Sequence, residues 1–290
     1  MENEKKLGIT RISPSMIKEY EDCPKLFFYR SWLGLKLPQT QVHFVFGNAI
    51  HLAIDNIYDQ FDKDELWKHA ELKIVKDIFL KEFTIDALDK DEKNFYGEPA
   101  YPTEEDRVKK FEEMRDDGLL IIKSYWEQKE FLLATHDINP IRFEVVAKFP
   151  IIHPHTKVAL EIPGSGRLDA ENYNGGIVEL KTSKAKYDEV ETRNLPQALF
   201  YVMWKYLTDG KMPPWLTYIV MRKGLSAKSK DRIQVLKYHY EEADVLAFIS
   251  RIEAILEQIR ARRFDRPSIG HPQFCDCYKF EKALEVDNSI

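Results

Sequence analysis

Two carboxylates and an ammonium group stand close together in the middle of the chain. Asp169 ends the run Gly166-Arg167-Leu168-Asp169, and Glu179 and Lys181 follow in the next apolar segment. Between them, the turn-forming residues 172–176 (Asn-Tyr-Asn-Gly-Gly) predict a tight β-hairpin. Alternate residues of a strand project from one face, so Glu179 and Lys181 share a face, and strand pairing brings Asp169 beside them.

These residue types can cut a phosphodiester with the help of a metal ion. Two carboxylates can hold a hard divalent cation through oxygen. A neighbouring lysine can position or deprotonate an attacking water molecule, which together predicts metal-assisted hydrolysis. The alternative is an ordinary Glu–Lys pair on a solvated hairpin. The apolar neighbours Ile177, Val178 and Leu180 favour a buried central strand, where a charge is costly unless it is paired or bound to a cation.

Size and composition indicate a globular protein of one large domain or two small ones. The chain has 290 residues, of which 44% are hydrophobic and 12% aromatic, which is ample for a packed core. We find no apolar run long enough to span a membrane and no secretory signal, so we expect no membrane partner. Three cysteines are not a disulfide framework, and they indicate a reducing, cytoplasmic location, or the host cytoplasm for a phage-encoded protein.

The charge pattern allows nucleic-acid binding only through a local basic surface. The net charge of −5 excludes a wholesale polycation. Each of the two candidate stretches is by itself more typical of a solvated loop. The stretches are Lys181, Lys184, Lys186 and Arg193, and then Arg222, Lys223, Lys228, Lys230 and Arg232.

Periodicity predicts helices around a small sheet. The predicted helices are 13–33, 47–62, 64–88, 103–136, 194–207 and 241–264, with a loop over 90–102, and the predicted strands are 141–152, 157–162, the two strands of the hairpin, 215–222 and 232–240. This order predicts the α/β class, with a small central mixed β-sheet flanked by helices. We expect one domain over 1–290, with a helical insertion over about 62–138, a catalytic core over about 141–240, and a C-terminal helix and tail over 241–290.

Three further side chains are candidates for the same site. His51 lies on a predicted helix, and imidazole is a common metal ligand, although a partly exposed helix histidine is the simpler explanation. Gln197 and Tyr201 are four residues apart and therefore lie on one helix face, close behind the Glu179 strand.

Taken in order, these motifs resemble the PD-(D/E)XK nuclease superfamily, and in particular its RecB-like branch. That branch includes the nuclease domains of RecB and AddB, CRISPR-associated adaptation exonucleases and phage exonucleases. The matching motifs are Ser13-Pro14-Ser15 through Tyr20-x-x-Cys23-Pro24-Lys25-x-Phe27-x-Tyr29, Gly47-x-x-x-His51, Gly166-Arg167-Leu168-Asp169, Val178-Glu179-Leu180-Lys181-Thr182 and Gln197-x-x-x-Tyr201. The resemblance implies a restriction-endonuclease-like fold with a large N-terminal helical insertion.

The resemblance also implies a role for each matching residue. Asp169, Glu179, His51 and the backbone carbonyl of Leu180 would bind Mg²⁺ or Mn²⁺, and Lys181 would orient or activate the water. Glu144, a further candidate metal ligand, matches an upstream glutamate of many relatives. Glu161 competes for that role, and either glutamate could instead be an ordinary strand surface residue. The residues expected to contact the substrate are Gln197, Tyr201, Arg167 and Lys184, and Gln197 and Tyr201 could alternatively steady Lys181.

The cysteines need a separate interpretation. Some RecB-like nucleases hold an iron–sulfur cluster with four cysteines, one in the first helix and three near the C-terminus. Here Cys23, Cys275 and Cys277 fit three of those positions, and the fourth cysteine is missing. His271 is an alternative fourth ligand, for a cluster or for zinc. The missing thiolate favours a relic, in which small cysteines pack where the tail meets the first helix.

The leading hypothesis is a divalent-metal-dependent DNA exonuclease that acts on single strands or duplex ends in recombination, repair or phage DNA processing. Its partners would be DNA and, as in related machines, a helicase or recombination protein. The alternatives are a CRISPR-type adaptation nuclease and a catalytically silent nucleic-acid-binding or scaffolding module on the same fold. The complete set Asp169, Glu179 and Lys181 argues against the silent module.

Overall fold

A mixed β-sheet carries the predicted hairpin at its centre. The computed structural model describes residues 8–36, 42–58, 71–84, 103–267 and 275–287. Within these ranges one five-stranded sheet has its strands side by side in chain order, with β3 and β4 parallel and the other pairs antiparallel. The strands are β1 (Pro140–Phe149), β2 (Gly164–Asn172), β3 (Ile177–Ser183), β4 (Leu216–Arg222) and β5 (Ile233–Tyr238).

The β2–β3 hairpin turns where the sequence predicts it. The amide of Asn172 donates to the carbonyl of Gly176 at 2.8 Å, and Gly175 takes a φ of 82°, which glycine adopts without strain. The two strands then pair through Ala170 with Val178 and through Glu171 with Ile177. This register directs Asp169 and Glu179 toward each other at the next position along the ladder.

Helices cover both faces of the sheet and bury two apolar cores. The helices are α1 (Pro14–Asp22), α2 (Pro24–Phe27), α3 (Val42–Tyr58), α4 (Leu72–Glu82), α5 (Glu104–His136), α6 (Glu189–Arg193), α7 (Pro196–Asp209), α8 (Glu242–Arg260) and α9 (Cys277–Asp287). One core joins the sheet to α1, α7 and α8, and the other joins it to α3, α4 and α5. β3 is buried by both, which explains why Ile177, Val178 and Leu180 are apolar on both of its faces. Among the described helices, none is both long and apolar enough to cross a bilayer.

The prediction of one helix over 13–33 is wrong, because the helix is interrupted at Cys23. Pro24 disfavours helical backbone in the residue before it, and Cys23 is extended with a φ of −163°. The segment therefore forms α1, then α2, and then a single π-helical turn over Phe28–Trp32. Ser13 caps α1 by accepting from the amide of Met16 at 3.3 Å.

The predicted strand 157–162 is also wrong. These residues, which are all described, double back on the end of β1 and make only an isolated bridge between Ile152 and Ala159. The next strand starts at Gly164, so the short apolar run before it is a connecting turn.

By contrast, the helix predicted over 103–136 is confirmed as α5, which begins with a capping box formed by Thr103 and Asp106. Of the segment predicted as helix 64–88, residues 72–82 form α4, and residues 64–70 and 85–88 lie outside the described residues, as does the predicted loop 90–102.

A glycine controls how closely α4 and α5 pack. A Cβ added to Gly118 on α5 would lie 2.2 Å from the ring of Phe79, which is fully buried and stacks on Phe83. We predict that Gly118→Ala destabilises the protein by roughly 1–3 kcal/mol, because overpacking outweighs a helix-propensity gain of about 1 kcal/mol. Thermal or urea unfolding measures this change.

Gly47 provides a matched control on α3. Its added Cβ would meet only the hydroxyl of Thr182, at an ordinary 3.6 Å. Gly47→Ala should therefore leave stability unchanged or raise it by up to about 1 kcal/mol. Equal effects at the two glycines would contradict close packing of α4 on α5.

Candidate active site

The backbone pairing of β2 with β3 ends at Asp169 and Glu179, where the two carboxylates lie beside each other. The amide of Asp169 donates to Oε1 of Glu179 at 3.4 Å, and the amide of Leu180 donates to Oδ2 of Asp169 at 2.8 Å. Side-chain oxygens thus accept from backbone amides at the point where the β2–β3 ladder ends. The backbone itself therefore fixes both carboxylates beside each other.

Lys181 completes a charged group with these acids. Its Nζ lies 3.1 Å from Oε2 of Glu179 and 3.7 Å from Oδ2 of Asp169. Burial, together with the charge of Asp169, raises the pKa of Glu179 well above its ordinary value. Burial lowers the pKa of Lys181, but the attraction of Glu179 and Asp169 is stronger, so its pKa rises and the ammonium stays protonated.

His51 approaches the same carboxylates from helix α3. Its Nδ1 lies 3.8 Å from Oδ1 of Asp169, and its ring interacts with the backbone of Leu180. Burial lowers the pKa of His51 more than Asp169 and the Leu180 backbone raise it, so the imidazole is neutral near pH 7 and offers a lone pair. A carboxylate, an imidazole and a backbone carbonyl thus lie together, and this donor set suits a divalent cation.

Glu144 joins the site from strand β1 with an unusual backbone. It has a φ of 51°, a left-handed conformation that costs a non-glycine residue about 1 kcal/mol or more. Its carboxylate pairs with Arg167 at 2.5 Å and interacts electrostatically with His51. The competing Glu161 pairs with Arg260 of helix α8 instead. Of the two candidates, the structure therefore places only Glu144 beside His51.

Gln197 and Tyr201 of helix α7 support the site through hydrogen bonds to β3 and β2. Gln197 donates to Oε2 of Glu179 at 2.6 Å, and the hydroxyl of Tyr201 donates to the backbone carbonyl of Arg167. Both residues lie on α7, whose one-turn spacing brings them to one face. They support the carboxylate strand and its partner, and Gln197 contacts the acid rather than Lys181.

Two clefts meet at this group of charges. The first, of about 670 Å³, is lined by His51, Glu144, Arg167 and Asp169. Two acids that carry no motif, Asp55 and Glu82, also line it, and the signal for Asp55 is its position one helical turn after His51. The second cleft, of about 440 Å³, is also lined by Arg167 and borders Lys181, Gln197 and Tyr201.

Lys184, the remaining predicted substrate contact, lies apart from both clefts. It is exposed just after β3 and lines a smaller depression of about 120 Å³ with Lys110 and Lys223. Burial and the neighbouring charge of Lys184 lower the pKa of Lys223. The structure thus gathers these three cations at the end of β3.

The three cysteines come together although they are far apart in sequence. The sulfur atoms of Cys23, Cys275 and Cys277 lie within 4.8 Å of one another, and all three residues are buried. They form a small apolar cluster with Tyr29 and Phe280, where the tail packs on the first helices. His271, the alternative fourth ligand, lies outside the described residues. That the three thiols hold no iron–sulfur cluster therefore stays a prediction, made from the number of cysteines.

Comparisons with known proteins identify the family and the fold of the chain. A family model described as the PD-(D/E)XK nuclease superfamily matches residues 11–278. A crystal structure from Eubacterium rectale, provisionally named an exonuclease, has the same fold with a TM-score of 0.50 at 10% identity, covering 96% of this chain and 90% of that one. The structure of SSO0001 covers 83% of this chain and 84% of its own at 12% identity, but its TM-score of 0.28 is too low for inference. No curated protein matches the chain.

Proposed function

The chain belongs to the PD-(D/E)XK nuclease superfamily, and from this premise we propose that it is a divalent-metal-dependent DNA exonuclease. The family establishes a nuclease, which acts on nucleic acid. The choice of DNA and of exonuclease action is our proposal. It is supported by the resemblance of the His51 motif to that of RecB-like exonucleases. The structural neighbour from Eubacterium rectale is also provisionally named an exonuclease.

The acidity of the first cleft is the observation that carries the proposal. Asp55, Glu82, Glu144 and Asp169 line it, and Glu179 lies fully buried behind Asp169. A phosphodiester is an anion, and these carboxylates would repel it in the absence of cations. A bound divalent cation reverses this repulsion, offsets the negative charge that develops on the phosphate, and lowers the pKa of a water molecule. An acidic cleft in a nuclease is thus best explained as a metal-binding cleft.

The side chains at the site would bind the cation, orient the attacking water and bind the substrate phosphate. Asp169, His51 and the Leu180 carbonyl would hold the cation, and Glu179 is positioned to join them. The protonated Lys181 orients the attacking water and stabilises the hydroxide that develops, because its ammonium donates hydrogen bonds and carries positive charge. Arg167, exposed at the junction of the two clefts, can pair with a phosphate of the substrate.

The donor set favours manganese over magnesium. Mg²⁺ prefers oxygen ligands in an octahedral shell, whereas imidazole suits softer transition metals. Because His51 contributes nitrogen to an otherwise oxygen-based set, we propose Mn²⁺ as the more effective ion and Mg²⁺ as an accepted substitute.

A cleavage time course tests the proposed function. End-labelled single-stranded and duplex DNA is incubated with the protein in Mn²⁺, in Mg²⁺ and in EDTA. We expect progressive shortening from one end, faster in Mn²⁺ than in Mg²⁺, and no cleavage in EDTA. Internal cuts in a circular single strand would contradict exonuclease action. Intact substrate under every metal, with DNA still bound, would favour the catalytically silent module.

A further inference from the structure

The second cleft has a different chemical character from the metal-binding one. Its lining includes four apolar or aromatic residues, Pro14, Tyr187, Leu195 and Pro196, which we call the apolar wall. The polar residues Ser13, Ser15, Lys18, Lys181 and Gln197 line it as well. Its volume of about 440 Å³ falls in the range of small-ligand sites. A water molecule or a metal ion needs far less room and no apolar wall. This volume and lining therefore fit an organic group with an apolar face that lies beside Lys181.

Tyr187 is the aromatic ring of this wall, and its backbone is held firmly. The side-chain amide of Gln234, on β5, accepts from the amide of Tyr187 at 2.9 Å and donates to its carbonyl at 3.0 Å. The ring lies against Tyr218, with the ring centres 6.4 Å apart, and it remains half-buried rather than enclosed. A fixed backbone and a partly open ring provide a preformed surface for stacking.

We propose that this cleft, named here the Tyr187 cleft, binds the unpaired nucleobase next to the scissile phosphate, which stacks on Tyr187. The inference rests on the proposed nuclease function. Arg167 borders both clefts, so a strand whose phosphate lies at Arg167 and Lys181 places an adjoining nucleoside at the apolar wall. Every base has an aromatic face, so aromatic stacking retains a strand without reading its sequence. The site therefore favours single-stranded DNA, or a duplex end whose terminal bases have separated.

A double-mutant cycle between protein and DNA tests this contact. Tyr187→Ala is compared with wild type on a single strand with a base, or with an abasic residue, next to the scissile phosphate. Stacking of one base is worth about 5- to 150-fold in binding. We expect Tyr187→Ala to raise KM by that factor with a small effect on kcat, and the abasic residue to cause a similar loss in wild type. The two changes together should cost little more than either alone, and Tyr187→Phe should retain wild-type KM.

Two controls separate this inference from the proposed function and from unfolding. Tyr173→Ala removes an exposed tyrosine at the β2–β3 turn and should leave KM unchanged. Binding of 2-aminopurine DNA to Lys181→Met protein, with and without Tyr187→Ala, reports stacking without turnover, because stacking quenches the fluorescence. Wild-type KM and quenching in Tyr187→Ala, or losses that multiply with the abasic residue, would overturn the proposal. If quenching depends on Tyr187 but the wild type cleaves no DNA, the stacking site is supported and only the proposed nuclease activity is contradicted.

Discussion

Replacing Lys181 by methionine is expected to lower the rate of cleavage by about 10³-fold or more in a protein that still folds. Methionine keeps much of the volume of the lysine stem but has no charge and donates no hydrogen bond. The variant loses the ammonium that lies 3.1 Å from Glu179 and 3.7 Å from Asp169. Single-turnover cleavage at saturating Mn²⁺ measures the loss in the chemical step separately from any change in DNA binding.

A second substitution separates the catalytic role of Lys181 from its structural one. Methionine alone leaves the fully buried Glu179 without its neighbouring ammonium, which predicts a loss of about 1–3 kcal/mol in unfolding free energy. Lys181→Met with Glu179→Gln should recover stability but not cleavage. Lys211→Ala removes an exposed lysine beyond α7 and should cleave like wild type. Cleavage by Lys181→Met at the wild-type rate would refute the assigned role.

Asp169→Asn is expected to remove both cleavage and the stabilisation of the protein by Mn²⁺. In wild type, Mn²⁺ at about 100 times its Kd should stabilise the fold by about 2.7 kcal/mol and raise Tm by about 5 °C. The substitution keeps an oxygen that accepts from the Leu180 amide, so the hairpin should remain intact. It removes the negative charge that attracts the cation. Thermal unfolding with and without Mn²⁺ measures the difference.

The charge-matched control for this experiment is Asp231→Asn. Asp231 is exposed in the β4–β5 connection and pairs only loosely with Lys186, at 3.7 Å. It should retain the full rise in Tm with Mn²⁺ and the full rate of cleavage. A rise in Tm that survives in Asp169→Asn would mean that Mn²⁺ binds elsewhere. If both aspartate variants cleaved DNA normally, the metal site proposed here would be wrong.

Short-range patterns were sufficient to predict the centre of this site. Asp169, Glu179 and Lys181 belong to one hairpin, and its turn residues and strand alternation determine which side chains meet. The same local physics accounts for α5, where capping and periodicity agree. It failed at Cys23, where Pro24 interrupts a helical pattern, and over 157–162, where a short apolar run has no neighbouring strand to pair with along its length.

The hairpin with its acids and lysine is therefore encoded locally, and motif resemblance was enough to predict the family and the fold. Which distant residues join the hairpin depends on how the whole chain packs. The approach of His51 to Asp169 depends on how α3 packs on the sheet, and the choice of Glu144 over Glu161 depends on the path of β1. Tyr187 lines the same cleft as Lys181, and its backbone is held there by Gln234 of β5. Local hydrogen bonding sets the register of a hairpin, but contacts between remote segments arise from packing the whole core, which no local pattern encodes.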